Sequence, residues 1–118
     1  MTPKEAVPAF AQSEKIKASL IMASQLVELL ASQSEDEKRG AEKVFKAFVN
    51  MIGNEIHLAR KIAQHEIWAE VEKHLDLALV MINSGVAHEA GYHLVQGISQ
   101  VTRIGQQSMT VLKDKGLI

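Results

Sequence analysis

The 118-residue chain is expected to be all-α, an antiparallel up-down-up-down four-helix bundle, on three observations. Apolar residues recur at alternating steps of three and four along most of the chain, the repeat of one helix face. Both prolines, Pro3 and Pro8, lie at the start, so no helix breaker interrupts the remainder. Short polar or glycine-containing segments, SQSEDE after Ala31 and NSG after Ile82, separate the periodic stretches as in bundles of neighbouring antiparallel helices.

The first helix is expected over about residues 9 to 31. Thr2, Pro3 and Glu5 have the form of a capping box with proline at the first helical position. Pro8 then removes a backbone donor one turn later, which suggests a ragged start or a separate first turn. Ile16, Leu20, Ala23, Val27 and Leu30 form the core stripe, widened by Met22, Leu26 and Leu29.

Ser34 and Glu37 form a second capping box, and Glu35 and Asp36 suit the positive end of a helix dipole. The second helix is expected over about residues 35 to 63, with Ala41, Phe45, Phe48, Ile52, Ile56, Ala59 and either Ile62 or Ala63 as its stripe. Neither Gly nor Pro ends it. At about 100° per residue from Ile52, however, Trp68, Val71 and Leu75 would fall on the far side of the helix, so a turn is expected at Gln64 to Glu66. A continuous helix through Ser84, in a domain-swapped chain, is the alternative.

The third helix, about 66 to 84, carries Trp68, Val71, Leu75, Ala78 and Ile82 on one face and stops at Gly85, suited to the left-handed cap position. Its end is apolar nearly all round: Leu77, Val80 and Met81 cannot share the core with the main stripe. The fourth helix, about 86 to 115, holds a narrow seam from Ala87 through Leu94, Gly97, Val101 and Ile104 to Val111, with Gly116 as its stop. At 1.5 Å per residue it would be about 45 Å long against about 28 Å for the third, so its unmatched length needs cover from the second helix or another chain. All four helices form one domain, residues 1–118.

Charge narrows the classes of function. Formal net charge is −1, which gives a nucleic-acid partner no global electrostatic support. No apolar run reaches the length of a membrane span, and the N-terminus lacks the basic and apolar regions of a signal peptide. The absence of cysteine fits a reducing compartment, so a cytoplasmic, non-membrane protein is expected. Of 27 charged side chains only six follow Lys73; the N-terminal half reads as a solvated hairpin and the C-terminal half as sheltered.

The fourth helix carries Gln96, Gln100, Arg103 and Gln107 where a solvated face usually carries Lys and Glu. With Leu77, Val80 and Met81 these residues are expected to form an interface, most simply a homo-oligomer, with another protein as the alternative partner. Gly91, Gly97 and Gly105 cost roughly 1 kcal/mol each within a helix, which close approach of another helix would offset. No catalytic residue and no cofactor is indicated, and a non-enzymatic protein is expected.

Three side chains are candidates for chemistry. Glu55 lies at the edge of an apolar stripe and needs a partner or a raised pKa; His74, His93 and Arg103 are possible partners. Facing carboxylates and histidines are how bundles build metal sites, but the Glu-x-x-His spacing of di-iron bundles is missing, and no metal is assigned. His88 and His93, five apart, do not share the face a zinc protease needs. His93 followed by Gly97 resembles the phosphorylated helix of histidine phosphotransfer domains, themselves four-helix bundles. In that family Lys stands at plus three, Gly at plus four and another Gly near plus ten. Here Gln96 replaces the Lys, and Gly105 falls at plus twelve. The resemblance implies His93 as phosphoacceptor.

Overall fold

The computed structural model describes residues 1–118. It contains four helices and no strand: α1 (Pro3–Ala31), α2 (Glu35–Ile62), α3 (Ile67–Asn83) and α4 (Ala87–Asp114). The helices pack as an elongated bundle of 55 × 20 × 16 Å. α1 and α3 each pack against both α2 and α4, whereas the backbones of the diagonal pairs α1–α3 and α2–α4 stay farther apart.

α1 starts earlier than the position of Pro8 suggests. Thr2 caps it with the full reciprocal box: its hydroxyl accepts from the Glu5 amide at 3.2 Å, and its own amide donates to the Glu5 carboxylate at 3.2 Å. With the first turn held this way, and Ala6 and Ala9 fully buried, the helix continues through Pro8 despite the missing donor. The box expected at α2 does not form. Ser34 is the N-cap residue, but its hydroxyl donates to the Glu37 carboxylate at 2.7 Å and caps no backbone amide.

The break between α2 and α3 falls at residues 63–66, and side chains make it. The Trp68 indole, fully buried, donates to the Ala63 carbonyl at 3.0 Å. His65 Nδ1 accepts the Ile67 amide at 3.1 Å, which satisfies one of the free donors at the start of α3. Gly85 (φ 81°) and Gly116 (φ 69°) take the left-handed conformation. In each case the following amide reaches back five residues, Val86 to the Met81 carbonyl and Leu117 to that of Leu112, the hydrogen-bond pattern of a Schellman stop.

The core runs along the bundle axis. Leu20, Val49, Ile56, Val71, Leu94 and Ile104 are among its fully buried members, each contributing about 1.5–3 kcal/mol relative to exposure. The long α4 is covered by α1, not by α2, which does not reach it. The glycines of α4 explain that contact. A Cβ added at Gly91 would stand 3.5 Å from Val27, at Gly97 3.6 Å from Leu20, and at Gly105 3.0 Å from the Ser13 hydroxyl. The small-residue stripe is therefore used inside the chain, where it lets α1 approach α4 closely.

Candidate association surface

Both helices of the N-terminal hairpin carry two apolar stripes. On α2 the inner stripe is Phe45, Val49, Ile52, Ile56, Ala59 and Ala63, all buried. One position round lies a second stripe at the same three-four spacing: Val44, Phe48, Met51, Glu55, Leu58 and Ile62. Val44 is 73% and Met51 63% exposed, and Leu58 and Ile62 are also exposed. On α1 the inner stripe is Ile16, Leu20, Ala23, Val27 and Leu30, and its outer counterpart contains Met22, Leu26 and Leu29, all exposed.

The two outer stripes meet along the α1–α2 seam. Leu26, Leu29, Val44, Phe45 and Phe48, with their neighbours, line an open groove of about 390 Å³ at the end near the α1–α2 connection. Farther along, Lys15 Nζ lies 3.1 Å from Glu55 Oε2. That oxygen is shielded from solvent and makes no hydrogen bond of good angle, so the ion pair is its compensation. The pair is unusual in its setting. At about 100° per residue, Glu55 is the only charged residue of α2 between Gly40 and Ile62 within about 60° of Met51. Lys15 is likewise the only one of α1 between Val7 and Leu29 within about 60° of Met22. Two wide, otherwise uncharged faces thus carry one charge each, and the two charges neutralise one another.

Known proteins offer no guide to this surface. Compared with protein-family models, curated proteins and solved structures, the chain matches none.

The residues expected to form an interface on the third and fourth helices are only partly brought together. Val80 is exposed, Leu77 and Met81 are half-buried, and on α4 Gln96 and Gln100 are half-buried while Arg103 and Gln107 are exposed. Arg103 donates to the Gln100 side chain at 3.0 Å, and the Gln107 side chain pairs with His65 Nε2. The α4 part of this face is polar, with Gln100, Arg103 and Gln107 in side-chain hydrogen bonds; the larger apolar exposure lies on the hairpin.

Glu55, His74 and His93 are separated. Glu55 is held by Lys15, whereas His74 and His93 stack across α3 and α4, ring centroids 6.3 Å apart and 25° from parallel. Tyr92 meets His93 edge-on at 5.4 Å. Nδ1 of each histidine is shielded and without a hydrogen-bond partner. Desolvation pulls the His74 pKa below its ordinary 6.5; Glu70 opposes this, and His93 and Lys73 add to it. No three His, Asp or Glu side chains are placed to hold a metal ion together.

The second stripe of α2 escaped the sequence reading although its signal was present. Val44, Met51 and Leu58 recur at seven-residue spacing, but the expected stripe took Phe48 from the outer seam and left out Val49 of the inner one. On α1, Met22, Leu26 and Leu29 read as a widened core, yet they face outward.

Proposed function

We propose that this chain is a non-enzymatic helical bundle, its helices running up-down-up-down, that works through protein–protein association. The observation that carries the reading is the long exposed apolar face of the α1–α2 hairpin, with Leu29 60%, Val44 73% and Met51 63% exposed. Soluble chains rarely leave a contiguous apolar patch of more than a few hundred Å² uncovered unless it binds something. The topology is supported by contacts of opposite residue order: Val27, Leu20 and Ser13 face Gly91, Gly97 and Gly105 in turn. The Arg60–Glu72 pair at 3.1 Å and the approach of Gly53 to Leu75 follow the same order on α2 and α3. A cytoplasmic setting suits a chain without cysteine.

A photo-crosslinking amino acid placed singly at Met51, Gln100 and Lys115 in the expressed protein tests association without assuming its partner. The expected result is a discrete protein adduct from position 51 and none from the exposed terminal position 115. Adducts from position 100 would move the surface to α3 and α4. If neither 51 nor 100 gives an adduct above that of 115, the association reading fails.

A further inference from the structure

We infer that the occupant of the α1–α2 face is the same face of a second copy of this chain, packed about a twofold axis; the inference rests on the association reading above. Three observations select this occupant. The first is charge. The one cation and one anion on the face, Lys15 and Glu55, neutralise each other at 3.1 Å within the chain. A partner must therefore present an apolar surface with no net charge to match, and the face itself is such a surface. An acidic or basic peptide would find no counter-charge, and a bilayer would find none of the Lys- and Arg-rich rim by which interfacial helices hold anionic lipid. The rim here is mixed: Glu14 and Glu28 beside α1, Lys43 and Lys61 beside α2.

The second observation is area. Met22, Leu26, Leu29, Val44, Met51 and Leu58, each 41% or more exposed, leave on the order of 600 Å² of apolar side chain open, which with a polar rim approaches the ~800 Å² per partner of a stable interface. The third is pattern. The outer stripe of α2 keeps the three-four spacing from Val44 to Ile62, and α1 adds Met22, Leu26 and Leu29 at the same spacing, so the two present knobs to the holes of a like hairpin. Isologous contact lets one patch satisfy both partners. The hairpin would then be a middle layer, with α3 and α4 on one side and the partner's hairpin on the other.

Light scattering after size exclusion, across a dilution series of the purified chain, is the test. Wild type is expected at twice the mass of one chain at micromolar concentration. Met51→Glu and Leu29→Glu each place an uncompensated carboxylate in the contact and should raise the dissociation constant at least about a hundredfold. Gln100→Glu and Met81→Lys should leave the mass unchanged. Both hairpin positions are exposed in the single chain, so circular dichroism should show full helicity in the variants. A measurement on wild type alone guards against variants that misfold. A soluble paramagnetic agent should broaden the Met109 methyl signal and spare Met22 and Met51 in the assembled state. A monomer at every concentration, a dimer lost on Gln100→Glu but not on Met51→Glu, or broadening of Met22 and Met51 equal to that of Met109 each overturns the inference. A monomer that still gives a crosslink from position 51 to another protein overturns only the second copy and leaves the association reading standing.

Discussion

His74 shows how a single side chain can tie stability to pH in this fold. Its ring stacks on that of His93, and its Cβ would lie 3.8 Å from a Cβ added at Gly97. Desolvation lowers its pKa, Glu70 works against that, and His93 and Lys73 add repulsion to the charged form. The folded state therefore binds a proton less readily than the unfolded chain, whose histidine titrates near 6.5. Where the unfolded state binds more protons, stability rises with pH. This contribution is complete above about 6.5 and is lost as pH falls through the depressed folded-state pKa. Replacing His74 by Gln removes it. The expected outcome is a thermal midpoint that falls less for His74→Gln than for wild type between pH 7 and pH 5; equal falls would show that the ring titrates without penalty.

At the scale of the helix, the α1–α4 contact distinguishes glycines that are required from those that are tolerated. At Gly97 the nearest neighbour of an added Cβ is the end of Leu20 at 3.6 Å, an ordinary contact, and at Gly91 it is Val27 at 3.5 Å. Alanine at either position should gain up to about 1 kcal/mol from helix propensity. At Gly105 the neighbour is the Ser13 hydroxyl at 3.0 Å, buried and donating to the Phe10 carbonyl at 2.7 Å. There, alanine must push aside a hydrogen-bonded side chain, a displacement worth about 1–3 kcal/mol if the bond is lost. Urea unfolding is expected to rank Gly97→Ala above wild type and Gly105→Ala below it; the opposite order would mean that α1 and α4 do not approach in this way. Composition alone could not make that distinction, because all three glycines occupy the same kind of helix position and differ only in what faces them. Elements with a local cause were legible in the sequence: Gly85 and Gly116 as left-handed stops, and the α2–α3 break as a phase error. The uninterrupted passage of α1 through Pro8 was not, since it depends on burial of Ala6 and Ala9. Nor were the two seams of α2, because Val44 and Phe45, or Met51 and Ile52, are adjacent apolar residues. Only packing decides which of each pair faces inward.

For the whole molecule, charge density along the sequence proved a poor guide to shelter. The first 73 residues hold 21 of the 27 charges, yet their hairpin carries the broadest exposed apolar face, because those charges lie on other sides of α1 and α2. If a second copy covers that face, assembly is linked to folding, and stability depends on protein concentration through mass action. A tenfold increase in concentration favours the dimer by about 1.4 kcal/mol, which for two chains of this length raises the thermal midpoint by about 3 °C. Met51→Glu should abolish the dependence. It should also leave the midpoint at high dilution close to that of wild type, since Met51 is 63% exposed and lends little to its own chain's core. Scanning calorimetry of both proteins over a hundredfold range of concentration reads the two slopes directly. A flat wild-type slope would rule out a second copy as the cover of the hairpin face, because a self-association that stabilises the fold cannot leave its midpoint independent of concentration.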